Sequence, residues 1–122
     1  MLACNLCNLP VLKYIVDRLR PEEMAIEDLY GFSCMTYAVK ANFIPGIFYL
    51  LHKRFEINEE QGDSNGCNIG HWACFMDRRL VLGMVFRMGF DFLKLDEPEY
   101  SFFDRSMENW SLFCINFMID YN

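Results

Sequence analysis

The sequence predicts an all-α fold of about four stacked helix-turn-helix repeats in a single domain. Three observations lead to this prediction. The chain aligns with itself at a spacing of about 35 residues, apolar residues within each repeat follow the helical period, and no strand-length alternation of apolar and polar residues is found. At 122 residues and 53% apolar composition, the chain has the size and hydrophobicity of one globular domain.

The self-alignment sets the repeat boundaries. The repeats are predicted at 1–27 (partial), 28–62, 63–95 and 96–122 (partial). The aligned positions are Asp28 with Asp63, Gly31 with Gly66, Ala38 with Ala73, and Ala73 with Ser106. Because these matches run through the chain without a low-complexity linker, we expect one domain rather than several.

Each repeat is expected to contain a turn and two antiparallel helices. An Asp-x-x-Gly sequence opens the turn, since Asp accepts backbone N–H bonds and Gly tolerates positive φ. Ser33 and Asn68 follow at positions suited to a helix N-cap. A first helix built around a small residue comes next, and then a second helix with the apolar stripe Ile47, Leu50 and Leu51.

Composition and charge exclude some classes of partner. Eleven basic against seventeen acidic residues leave a net charge of −6, which argues against nucleic acid because binding phosphates needs clustered cations. The longest apolar run, Leu80 to Phe86, is well short of the roughly 20 residues that span a bilayer. Without a secretion signal, we expect a cytoplasmic protein with no direct membrane insertion, whose six cysteines are mostly thiols.

The third repeat resembles the ankyrin repeat, a unit of about 33 residues with two helices and a β-turn finger. The matching segments are Asp63-x-x-Gly66-x-Asn68-Ile69-Gly70-His71-Trp72-Ala73-Cys74 and Gly89-Phe90-Asp91. Repeat two departs from the pattern with Cys34 at the Pro position and Thr36 at the His position. The resemblance implies an ankyrin-repeat solenoid and an interaction module that is not an enzyme.

The resemblance also assigns structural and binding positions. The imidazole of His71 is expected to hydrogen-bond loop backbone and to tie adjacent repeats together. The structural repeat positions are Asp28, Gly31, Ala38, Asp63, Gly66, His71, Ala73 and Gly89. A concave aromatic groove is expected to bind a protein or peptide partner through Tyr30, Phe32, Tyr37, Lys40, Asn65, Trp72, Phe75, Met76 and Arg105. The alternative is that Tyr37 and Trp72 merely stack on each other.

A second function stays open. The string Gly-x-x-x-x-His-Trp-Ala, which ends at Ala73, is similar to the cytosolic ankyrin domains of DHHC-type palmitoyltransferases. The chain has no Asp-His-His-Cys motif, so it would be a regulatory or substrate-recruiting domain of a larger enzyme. Hydrophobic spans after Asn122 in a longer gene product would favour this alternative.

Candidate catalytic and metal residues are better explained by the repeat. Cys4-x-x-Cys7 and His71-x-x-Cys74 have zinc-ligand spacing. However, Cys4 and Cys74 occupy the same position two repeats apart, where a free Cys packs as a small hydrophobe. We therefore expect no metal, no cofactor and no catalytic residue, and we interpret the acidic segment 96–99 as solvated loop charge.

The ends of the array lack polar caps. Leu2, Leu6, Leu9, Val11 and Leu12 at one end, and Phe113, Phe117 and Met118 at the other, are expected to expose apolar surface. Terminal repeats normally carry polar outer faces. We expect these ends to be covered either by further repeats of a longer array or by self-association.

Overall fold

The computed structural model describes residues 2–53 and 55–120. Over these residues the fold is all-α with no β-strand, which confirms the predicted secondary-structure class. Met1, Tyr121 and Asn122, at the outer edges of the predicted first and fourth repeats, and Arg54 lie outside the described residues. The chain divides into two compact units, Met1–Ile57 and Asn58–Asn122, here called the N-terminal and C-terminal units.

The described residues of the N-terminal unit form five short helices. They are α1 (Leu2–Asn5), α2 (Leu9–Val16), α3 (Pro21–Met24), α4 (Cys34–Lys40) and α5 (Ile44–His52). Helix α1 packs on α4, and α2 packs on α5. The core between these helices is formed by Cys4, Leu12, Val16, Met35, Ala38, Val39, Ile47 and Leu50.

Between Asn58 and Asp120, the part of the C-terminal unit that the structure describes, there are four helices. They are α6 (Ile69–Phe75), α7 (Arg79–Arg87), α8 (Phe102–Glu108) and α9 (Leu112–Asp120). The first helices of repeats three and four, α6 and α8, pack on each other, and so do the second helices, α7 and α9. Gly70 permits the close approach of α8, since a Cβ at this position would lie 2.2 Å from the Phe102 ring. Phe102 is fully buried.

Side-chain caps explain where the first helices begin. The first helices α4, α6 and α8 are each preceded by a residue whose side chain accepts backbone N–H bonds from the first turn, as the sequence predicts for Ser33 and Asn68. A side chain three residues later returns a bond to the cap's own N–H. The reciprocal pairs are Ser33 with Thr36, Asn68 with His71, and Ser101 with Asp104.

The turn between the two helices of each repeat uses a left-handed residue. In all four repeats this residue is not glycine, although positive φ is uncommon for residues with a Cβ. The residues are Cys7 (φ 56°), Asn42 (φ 55°), Asp77 (φ 58°) and Trp110 (φ 54°). Their spacings match those of the sequence repeat, so the repeat is also present in the backbone conformation.

The apolar ends expected from the sequence are exposed only in part. Leu2, Leu6 and Phe113 are each more than 60% exposed. Leu12 and Met118 are buried, so the prediction was wrong for these two side chains. Each lies on the inward face of its helix and packs into the core of its own unit. None of the helices in the described parts of the chain is long and apolar enough to cross a membrane.

Candidate interaction surfaces

The finger is the turn that opens a repeat, and an aspartate holds it in repeats two, three and four. In repeat three, one carboxylate oxygen of Asp63 accepts the N–H groups of Asn65 (2.9 Å) and Cys67 (3.1 Å). Asp28 binds Tyr30 and Phe32 in the same way, and Asp96 binds Tyr100. The fourth residue of the turn has positive φ in each case: Gly31 (79°), Gly66 (74°) and Glu99 (66°).

The second oxygen of each finger aspartate binds a side chain nine residues later, on the first helix. The indole N–H of Trp72 donates to Asp63 Oδ2 across 2.8 Å, and Arg105 Nε donates to Asp96 Oδ2 across 2.8 Å. In repeat two, the hydroxyl of Tyr37 donates to Asp28 Oδ2. Three predicted partner-binding residues, Tyr37, Trp72 and Arg105, therefore also hold the finger against its helix.

The predicted binding residues of the N-terminal unit form one cluster. The Phe32 ring contacts Tyr30 and Tyr37, with centroids 5.8 Å and 5.7 Å away. The ammonium of Lys40 lies 4.3 Å from the Phe32 centroid, a cation–π contact. Tyr30 is 66% exposed, and the other three side chains are half-buried. We call these four residues the N-terminal surface.

The predicted binding residues of the C-terminal unit lie on two neighbouring repeats. Trp72 and Phe75 make an edge-to-face pair with centroids 5.9 Å apart, and Met76 caps the end of α6. Hydrogen bonds join this part to repeat four: Glu97 N–H donates to the Asn65 carbonyl (2.8 Å), and the Phe75 carbonyl accepts from Asn109 Nδ2 (2.8 Å) and from Ser111 Oγ (3.2 Å).

The fingers and the first helices of repeats three and four thus form a continuous surface, which we call the C-terminal surface. It contains Asn65, Trp72, Phe75, Met76, Glu97, Glu99, Tyr100, Arg105, Glu108 and Asn109.

His71 has a structural position. Its Nδ1 accepts the N–H of Asn68 (3.1 Å), so the proton is on Nε2, which donates to the Lys94 carbonyl across 2.9 Å. The side chain is 1% exposed, and this burial lowers the pKa of His71 below its ordinary value. An imidazole with both nitrogens engaged connects the helix start to the following loop. Of the other structural positions, Ala38 and Ala73 are fully buried, and Gly89 has a φ of 85°.

The acidic segment 96–99 is solvated only in part, which corrects the interpretation of Asp96. The Asp96 side chain is 0% exposed and is paired with Arg105 Nη2 across 2.7 Å. Burial on its own would raise the pKa of Asp96, but the Tyr100 N–H and the Arg105 guanidinium outweigh it and leave the pKa below the usual value. Glu97 and Glu99 remain exposed.

Three of the cysteines, Cys4, Cys67 and Cys114, have little nucleophilic character. Burial, with a bond to Asp96, raises the pKa of Cys67 to about 12. Contact with the Cys34 thiol and burial raise the pKa of Cys4, and contact with Cys74 and burial raise that of Cys114. Such thiols are protonated at neutral pH and do not act as nucleophiles. Among the described residues, no group of three or more His, Cys, Asp or Glu is placed to hold a metal ion.

Sequence reasoning missed the bond between each finger aspartate and the first helix. A signal for it was present, because the residue nine positions after each aspartate can donate a hydrogen bond: Tyr37, Trp72 and Arg105. The three donors are different residue types, so an alignment of the repeats by residue identity does not reveal them. Glu97 and Glu99 were also interpreted from the sequence as loop charges and were not counted among the binding residues.

No known protein family has a model that matches this sequence, and no curated protein is significantly similar to it.

Proposed function

We propose that the chain is a protein-interaction module of the ankyrin-repeat type, which binds a protein or peptide through its fingers and the exposed sides of its first helices. The observation that carries this proposal is the repeated link between finger aspartate and first helix, seen at Asp28, Asp63 and Asp96. A turn held at both carboxylate oxygens is preorganised, which lowers the entropy lost on binding.

The chemistry of both surfaces supports binding rather than catalysis. Aromatic side chains and Met are enriched in the centres of protein interfaces, and both surfaces are built around aromatic pairs. The imidazole of His71 and the thiol of Cys67 are engaged in structural bonds, so neither supplies a base or a nucleophile. The proposed compartment is the cytoplasm.

A comparison of captured partners tests the proposal. The bait is the full chain, and the binding variant is Tyr30→Ser with Phe75→Ser, which removes one aromatic ring from each surface and leaves all three finger bonds in place. The matched control is Phe48→Ser with Leu80→Ser, two side chains that are 60% and 69% exposed on the second helices α5 and α7.

We expect proteins captured by the wild type to be lost from the binding variant and retained by the control. Circular dichroism establishes that both variants keep the helical content of the wild type. Equal capture by the wild type and a folded binding variant would contradict the proposal.

A further inference from the structure

The charge of this protein is concentrated in one of its two units. In the sequence of the C-terminal unit, eleven Asp and Glu face five Lys and Arg, a net charge of −6. The N-terminal unit has six of each and is neutral. The whole negative charge of the chain therefore belongs to the C-terminal unit, and a partner of that unit meets a negative field.

Part of this charge lies on the C-terminal surface. Glu97 and Glu99 are exposed at the tip of finger four, on either side of Pro98. The bond from Glu97 N–H to the Asn65 carbonyl fixes that tip beside finger three. Glu108 adds a third carboxylate on α8, with a side chain that is 44% exposed. These carboxylates adjoin the aromatic part of the same surface.

The aromatic rings of this surface also favour cations. Trp72 and Phe75 are half-buried, and Tyr100 is 43% exposed. The electron-rich faces of such rings attract ammonium and guanidinium groups. One cation is already held in this way: the Arg105 guanidinium lies 4.6 Å from the Tyr100 centroid while it pairs with Asp96 and Glu108. The surface thus already binds one guanidinium group between an aromatic ring and two carboxylates.

The N-terminal surface differs, because it supplies its own cation. The ammonium of Lys40 lies 4.3 Å from the Phe32 centroid and 5.8 Å from that of Tyr37. With a neutral unit and a lysine already on its rings, that surface has no comparable attraction for a basic partner. The N-terminal surface is therefore the reference with which the charge of the C-terminal surface is compared.

Given the interaction function proposed above, on which this step rests, we infer that the C-terminal surface binds a basic peptide segment with Arg or Lys next to apolar side chains. The apolar side chains would pack on Trp72 and Phe75. The cations would pair with Glu97 and Glu99 and lie against the Tyr100 ring. Pairing with carboxylates and cation–π contact both favour a positively charged ligand, so both interactions contribute to binding of the same peptide.

Two labelled peptides test the charge of the ligand. One contains Arg and Leu with Gly spacers, and in the other Glu replaces every Arg. Fluorescence anisotropy with the full chain, at low and at high salt, measures both affinities. We expect the basic peptide to bind and to weaken with salt, because exposed charge pairs are screened. Equal binding of the acidic peptide, or no binding of the basic one, would overturn the inference.

A pair of variants separates a local site from attraction by net charge. Glu97→Gln with Glu99→Gln removes the carboxylates at the finger tip. Glu27→Gln with Glu56→Gln removes two exposed carboxylates of the N-terminal unit, so both variants have the same net charge. Loss of two exposed charge pairs is expected to weaken the basic peptide about three- to tenfold in the first variant and by less than about twofold in the second. Equal weakening in both would show attraction by net charge only and overturn the inference.

The two proposals can fail separately. If captured proteins are lost from the Tyr30→Ser, Phe75→Ser variant but the finger-tip variant binds the basic peptide as the wild type does, the charge inference fails and the interaction function stands. If neither variant changes any binding, both fail.

Discussion

The indole N–H of Trp72 donates to Oδ2 of Asp63 across 2.8 Å, and the other carboxylate oxygen of Asp63 accepts two backbone N–H groups of its own turn. One carboxylate therefore joins the turn that begins at Asp63 to the helix that begins at Ile69. The corresponding pairs in the neighbouring repeats are Asp28 with Tyr37 and Asp96 with Arg105. An aromatic residue chosen from the sequence for binding is thus also part of the scaffold.

Replacing Trp72 by Phe should destabilise the chain by about 1–3 kcal/mol, because the Asp63 carboxylate loses a charge-assisted bond in a half-buried site. The matched control is Trp110→Phe, the same chemical change at a side chain that is 77% exposed. It should change stability by less than about 0.5 kcal/mol. Urea unfolding followed by circular dichroism measures both. Equal losses would mean that the indole bond contributes nothing.

The first helices of repeats two and three, with their starts, could be predicted from the sequence, because local chemistry determines them. Ser33 and Asn68 cap the helices for which they were proposed, and Ile47 and Leu50 of the predicted apolar stripe are buried. These features depend on residue type and short-range spacing, and a single sequence contains both.

The left-handed turns and the burial of Asp96 were not predicted. Cys7, Asn42, Asp77 and Trp110 share one backbone conformation but no chemistry, so no residue type marks the turn. Asp96 resembles a solvated loop acid until Arg105, nine residues later, is placed beside it. The turn conformation depends on packing between helices, whereas the pairing of Asp96 becomes apparent only when the spacing of nine residues is compared across the three fingers.

Protonation of His71 should destabilise the fold below neutral pH. Burial lowers its pKa in the folded state, whereas the unfolded chain has the ordinary value near 6.5. As the pH falls, the unfolded state therefore binds more protons than the folded state. The contribution of neutral His71 to the free energy of unfolding is complete above about pH 6.5 and decreases from there towards the folded pKa.

Urea unfolding of the wild type and of His71→Gln at pH 7 and pH 5.5 tests this. The Gln variant should be less stable at pH 7 but should change little between the two values. Carboxylates with lowered pKa values, such as Asp28, lose their contribution only in more acidic solution, since their ordinary value is 3.8. An equal pH dependence in both proteins would assign it to other groups.

Gly66 should tolerate a side chain less well than Gly89. Both have positive φ, 74° and 85°, so valine at either position brings strain of about 1–3 kcal/mol. At Gly66 an added Cβ would also lie 3.0 Å from the Glu97 nitrogen, while at Gly89 nothing lies within 4 Å. Gly66→Val should therefore lower the melting temperature further than Gly89→Val. Unchanged thermal stability in Gly66→Val would refute the turn assignment.

Glu99 should lower the stability of the fold, because its backbone is strained, while it adds a negative charge to finger four. Its φ of 66° is the left-handed conformation that Gly31 and Gly66 adopt at the same finger position. That conformation costs a residue with a Cβ about 1–2 kcal/mol, and the larger unfolded-state entropy of glycine offsets about half of the gain on replacement. Glu99→Gly is therefore expected to raise the free energy of unfolding by about 0.5–1 kcal/mol.

Glu97→Gly is the matched control, because it removes the same charge from the same finger at a residue outside the left-handed region. It should lower stability slightly, whereas both variants should weaken binding of the basic peptide. Urea unfolding and fluorescence anisotropy on the same preparations measure the two effects. A Glu99→Gly protein that is no more stable than the Glu97→Gly protein would contradict the strain argument. A Glu99→Gly protein that binds the basic peptide as tightly as the wild type would show that the charge of Glu99 does not contribute to binding.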